Sequence, residues 1–121
     1  MFVPKLTGNA FFESANVGAQ EYAANHGYTV KYDGSPEAFV AKQVTVIDNA
    51  INSGADAICV SSVDATGLDD IMRDAKKAGL QVVTWDSDVS GDARTVMVSQ
   101  GTPEILGKIQ SNIHGTIHRL T

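Results

Sequence analysis

One unit recurs three times in this chain: a helical pattern, a glycine, then a short β-rich run ending in polar residues. Gly27 precedes Tyr28 Thr29 Val30 Lys31 Tyr32 Asp33, Gly54 precedes Ala55 Asp56 Ala57 Ile58 Cys59 Val60 Ser61, and Gly79 precedes Leu80 Gln81 Val82 Val83 Thr84 Trp85 Asp86. Glycine just past a helix end is the usual left-handed cap, so each marks a helix-to-strand turn. Strands separated by helices must run parallel, because a parallel pair needs a crossover. This restricts the chain to α/β architectures.

The helices carry the matching period. Val40, Val44, Ile47 and Ile51 share one face, Leu68, Ile71, Met72 and Ala75 share another, and Ala15, Ala19, Tyr22 and Ala23 make a thinner stripe. Ser35 before Pro36, Thr66 with Asp69, and Thr102 before Pro103 read as helix starts. Strands are expected at 2–6, 28–33, 55–61, 80–85 and 94–98, the first unusually short. With right-handed crossovers they give a three-layer, flavodoxin-like sandwich around a parallel five-stranded sheet of order 2-1-3-4-5.

At 121 residues the chain can bury a core of its own. Its net charge of −5 comes without any basic cluster, so nucleic acid and anionic membrane surfaces are not expected partners. No stretch approaches the roughly 20 apolar residues of a membrane span. The single Cys59, in the apolar run Ala57 Ile58 Cys59 Val60, reads as a buried structural thiol. Met1 Phe2 Val3 Pro4 Lys5 lacks the charged and apolar regions of a signal peptide. The expectation is therefore a cytosolic protein or a chain that begins after its targeting segment.

Open α/β sheets bind ligands outside the carboxyl ends of their strands. That edge collects Lys5, Asp33, Ser61, Ser62 and Asp86. A structural ion pair is the plain alternative for any one charged loop residue. Aromatic neighbours favour a ligand: Phe11 and Phe12 after the first strand, and Trp85 before Asp86. An indole covers an apolar ligand face while a carboxylate accepts from paired hydroxyls. Phe11 and Phe12 cannot both face inward on one helix turn, and Trp85 could equally belong to the core.

Other chemistries lack their parts. Leu6 Thr7 Gly8 Asn9 Ala10 has one glycine where a dinucleotide fingerprint has three, and no phosphate-cradling loop occurs. A phosphate-accepting receiver domain needs acidic residues where Lys5 and Ser61 Ser62 stand. The hydroxyls of Ser61, Ser62 and Ser87 have no histidine in the same loops, so no nucleophile is activated and no enzyme is expected. His114 and His118 offer two ligands without a third, so neither a metal nor another cofactor is expected.

Residues 3–108 resemble the N-terminal lobe of type I periplasmic binding proteins for sugars, most closely the autoinducer-2 receptors, with the rhamnose-binding proteins as near relatives. The matching stretches are Val3 Pro4 Lys5 Leu6, Phe11 Phe12, Gly18 Ala19 Gln20 Glu21, Tyr32 Asp33 Gly34, Asp56 Ala57 Ile58, Thr84 Trp85 Asp86 Ser87 Asp88, and Gln100 Gly101 Thr102 Pro103. The resemblance implies that two lobes close on a small ligand, autoinducer-2 or a sugar, and that a membrane permease or chemoreceptor reads the closed form. It implies a periplasmic or extracytoplasmic location. It also implies that Lys5 and Asp86 contact ligand directly, with Phe11, Phe12 and Trp85 lining the cleft, while Asp88 caps its loop.

A complete protein of that kind has a second lobe, which is missing here, so weak or no binding is expected of the chain alone. Residues 1–108 are expected to form the lobe and 109–121 a divergent helical or disordered tail. The uncovered face favours self-association into a homo-oligomer. A stand-alone, self-associating structural domain is the alternative from another class.

Overall fold

A computed structural model of the protein describes residues 1–100. In chain order these form β1 (Phe2–Val3), α1 (Ala10–His26), α2 (Val40–Asn52), β2 (Ala57–Val60), α3 (Asp69–Lys77), β3 (Gln81–Trp85), a 3-10 turn (Gly91–Ala93) and β4 (Val96–Val98). The strands make one parallel sheet in the order β1-β2-β3-β4. Cys59 sits centrally, opposite Phe2 on one side and Val83 on the other.

The expected strand at 28–33 is not formed. The segment meets β1 through a single parallel bridge, Tyr32 to Phe2, with the Phe2 amide donating to the Lys31 carbonyl (2.8 Å) and the Asp33 amide to the Phe2 carbonyl (3.2 Å). With β1 only two residues long, there is little edge along which a ladder could propagate. The described sheet thus has four strands and one bridge rather than five strands.

Glycine ends the helices as the repeats imply. Gly27, Gly54 and Gly79 all have positive φ, at 72°, 76° and 91°. Helix starts differ. The Ser35 hydroxyl accepts from the Glu37 amide in a local turn, and α2 begins only at Val40. Asp64 rather than Thr66 organises the approach to α3, accepting from the Thr66 and Gly67 amides at 2.9 and 2.7 Å. Thr102 lies outside the described residues, as do His114, His118 and the expected tail at 109–121.

Alternation along the strands sorts the two faces. Ile58, Val60 and Val82 are fully buried among Val46, Ile47, Ala50, Leu68, Met72 and Ala75 of α2, α3 and the turn between β2 and α3. The core face of α2 is rotated from the expected stripe: Gln43, Val46, Ile47 and Ala50 are buried, while Val40, Val44 and Ile51 are partly buried. On the opposite face α1 brings Phe12 against Trp85. Tyr22, expected in the buried stripe of α1, is exposed. Cys59, expected buried, is half-buried on this face, and burial raises its thiol pKa.

Candidate functional site

The carboxyl ends of the strands bring together a cation, an anion and an aromatic wall. Lys5 follows β1 by one buried proline, and its Nζ lies 3.7 Å from Asp86 Oδ2 at the end of β3. Asp86 also accepts from the Ser61 hydroxyl at 3.1 Å and from Gln100 Nε2 at 2.9 Å. Its φ is 62°, and the Ser87 amide closes a three-residue turn across it onto the Trp85 carbonyl (2.6 Å). Such a turn is uncommon and strained for a residue with a side chain. Neighbouring strand ends fix it: the Asp86 amide donates to the Val98 carbonyl and the Ser62 amide to the Ser87 carbonyl.

Asn9 caps α1 by accepting from the Phe11 amide at 3.0 Å, which sets where the two phenylalanines leave the helix. Phe12 is 6% exposed and Phe11 51%, so the first packs inward and the second faces solvent. Both meet Trp85, Phe12 edge-on with centroids 5.7 Å apart and Phe11 stacked at 6.4 Å, while Phe2 stacks on the indole at 4.7 Å. Trp85 is half-buried, yet its Nε1 is buried with no hydrogen-bond acceptor among the described residues. The structure thus brings together Lys5, Phe11, Phe12, Trp85 and Asp86. Asp33 and Ser62 stand apart: Asp33 reaches Lys31 at 4.0 Å, and the Ser62 hydroxyl donates to the Asp64 carbonyl.

Three supporting residues are not among the expected site residues. Gln43 of α2, 3% exposed, donates to the carbonyls of Pro4 (3.0 Å) and Ser61 (2.8 Å) and accepts from the Val63 amide (3.0 Å), tying the ends of β1 and β2 together. Glu13 accepts from the Gly8 amide (2.9 Å) and the Tyr32 hydroxyl (3.0 Å), anchoring the loop before α1. Burial and then that carboxylate push the Tyr32 phenol up to about 12. Gln100 is the third. Gln100 opens a stretch that carries the resemblance, and Gln43 is a polar residue interrupting a helical stripe between Val40 and Val44, whereas Glu13 has no such signal.

Asp88 is committed to its own loop. It accepts from Arg94 (2.9 Å to Nη2), Thr84 Oγ1 (2.6 Å) and the Val89 amide (2.8 Å), and Arg94 above all holds its carboxyl at about 2. A depressed carboxyl pKa stabilises the fold above the unfolded value of about 4, and that stability is lost as pH falls toward 2. Urea unfolding of the Arg94→Ala variant is therefore expected to show a shallower loss between about pH 4 and 2 than the parent. With the Asp88 side chain about a third exposed, the difference should be about 1 kcal/mol.

A groove of about 800 Å³ lies at the other edge, beside Met1, Tyr22, Tyr28, Ala57 and Cys59. It touches neither Lys5 nor Asp86 and forms no part of this site. Among the described residues no cluster of three histidine, cysteine or acidic side chains could hold a metal, and no helix is long and apolar enough to cross a membrane.

Known proteins resemble this chain in sequence and fold. The chain is 56% identical, with a TM-score of 0.88, to LsrB from Clostridium saccharobutylicum solved in complex with AI-2, covering 92% of this chain and 34% of that one. It is 27% identical, with a TM-score of 0.84, to an ABC transporter solute binding protein from Clostridium phytofermentas with bound L-rhamnose, covering 93% and 35%. Among curated proteins it is 24% identical over 116 residues to the xylose/arabinose-binding protein XylF of Sulfolobus acidocaldarius, covering 96% of this chain and 29% of that protein. The chain therefore spans about a third of the length of these relatives. A family model described as the periplasmic binding protein domain matches residues 1–113, and the chain belongs to that family.

Proposed function

We propose that this chain is the first lobe of a periplasmic solute-binding receptor for autoinducer-2 or a related small sugar, not an enzyme. In this reading the receptor delivers its ligand to an ABC-type membrane permease once a second lobe completes the cleft. One observation carries it: Lys5 and Asp86 face each other at 3.7 Å beside an aromatic wall at the carboxyl edge of the sheet, in a chain 56% identical to a protein solved with AI-2.

Each part suits a small polyhydroxylated ring. Lys5 donates, Asp86 accepts from neighbouring hydroxyls, and Phe11 and Trp85 flank the ring, while Phe12, expected to line the cleft, is buried and backs the indole. The relatives named above were solved with AI-2 or L-rhamnose or are named for binding xylose and arabinose, which favours this reading over a stand-alone structural domain. Residues 109–121 are proposed to lie outside the lobe.

Magnitudes limit what one lobe does alone. Two charge-assisted hydrogen bonds contribute at best ~6 kcal/mol, before the cost of immobilising the ligand, whereas micromolar affinity needs about 8 kcal/mol. Isolated, the chain should bind at millimolar strength or not measurably. Joined to the remaining portion of the Clostridium saccharobutylicum relative, it should bind autoinducer-2 at least a hundredfold more tightly. Calorimetry on both proteins tests this, and a joined protein that folds but binds neither autoinducer-2 nor L-rhamnose would overturn it.

A further inference from the structure

We infer that Ser61 is a positioning residue for Asp86, holding its carboxylate out toward the cleft and off Lys5 before any ligand arrives. The inference rests on the reading of Asp86 as a ligand contact. Among the described residues five have positive φ, and four are glycines: Gly8, Gly27, Gly54 and Gly79. Asp86 is the exception, so the fold keeps a strained residue where glycine would fit without strain. What glycine would forfeit there is the carboxylate.

Ser61 is built to hold that carboxylate. It is fully buried, its amide donates to the Val3 carbonyl (2.9 Å), and its carbonyl accepts from Gln43 (2.8 Å). With the backbone fixed on both sides, the hydroxyl is directed to Asp86 Oδ2 at 3.1 Å. Lys5 Nζ, at 3.7 Å from the same oxygen, is beyond hydrogen-bond reach. The opposite charges are therefore an ion pair without a direct hydrogen bond. Gln100 occupies Oδ1, so the carboxylate is held from two directions. Without the serine, Oδ2 is free to rotate onto Lys5, and acceptor and donor satisfy each other instead of the ligand. A carboxylate fixed in advance also loses less rotamer freedom on binding.

Two readouts separate this from a merely structural role. Three-bond couplings across χ1 of Asp86 in the free 121-residue chain should report one rotamer in the parent and an averaged value in Ser61→Ala, with the urea midpoint close to the parent's. In the chain joined to a second lobe, Ser61→Ala should weaken autoinducer-2 binding about tenfold, the worth of one hydrogen bond to a charged group. It should have almost no further effect in an Asp86→Asn background. An Asp86 rotamer unchanged by Ser61→Ala overturns the inference. So does a tenfold loss that persists in the Asp86→Asn background, because Ser61 would then touch the ligand itself. If the joined parent binds neither autoinducer-2 nor L-rhamnose while Ser61→Ala still frees the Asp86 rotamer, the receptor reading falls and the positioning role stands.

Discussion

Replacing Asp86 by asparagine or alanine in the two-lobed protein is expected to weaken autoinducer-2 binding by about a hundredfold or more. The carboxylate accepts in two directions, and two hydrogen bonds to a charged group are worth about 3–6 kcal/mol together. Removing the charge also takes from Lys5, whose side chain is 32% exposed, the acid that faces it in the cleft. Lys5→Ala should cost less, because its greater exposure lets water replace part of what the ammonium supplies. Asparagine is the cleaner substitution. It tolerates the left-handed backbone that Asp86 adopts at φ 62°, whereas alanine adds about 1–2 kcal/mol of backbone strain. Calorimetric titration beside a urea unfolding curve separates the two effects, and an Asp86→Asn protein with near-parental affinity would remove Asp86 from the site.

The second large effect falls on the fold. Ile58 is fully buried in the middle of β2, between β1 and β3, and belongs to the cluster formed with α2 and α3. Ile58→Ala deletes packed atoms from a layer that close-packed helices cannot refill, so about 2–5 kcal/mol of stability should be lost. Set against a typical total of about 5–15 kcal/mol, this is enough to leave the chain partly unfolded. The readout is the urea midpoint. Tyr22→Ala supplies the contrast: that side chain is 59% exposed, and its loss should change the midpoint little.

Much of the fold is legible in the amino-acid sequence, for local reasons. Glycine at 27, 54 and 79 is favoured by backbone sterics at helix ends, so the residue type alone announces where each helix stops, and at 54 and 79 a strand follows. Leu68, Met72 and Ala75 are buried where their spacing puts them. Periodicity fails where distant partners decide. Whether 28–33 forms a strand depends on how much of β1 is available to pair with it, and β1 has two residues. The α2 face turns because Gln43 is drawn inward by three backbone groups from other elements, which no helical period encodes.

The site shows the same division. The strand-end rule and the Trp85-Asp86 pair locate one edge of the sheet, and the resemblance matches Asp86 with Lys5. In sequence Ser61 is a loop hydroxyl without a base, but its hydrogen bond to Asp86 is a contact across 25 positions that depends on the order of the strands. Phe11 and Phe12 become distinguishable only once Asn9 has fixed the start of α1 and so the rotation of the helix.

Lys5 and Asp86 are proposed to form half of a ligand site that a second lobe completes. The most direct measurement is a calorimetric titration of autoinducer-2 into the 121-residue chain and into the same chain joined to the remaining portion of the Clostridium saccharobutylicum relative. Fluorescence of Trp85, the only tryptophan in this chain, can be followed in parallel on the isolated lobe. Millimolar or undetectable binding by the lobe, rising at least a hundredfold on joining and lost again in Asp86→Asn, is the predicted result. Micromolar binding by the isolated monomer, or a folded joined protein that binds nothing, would contradict it.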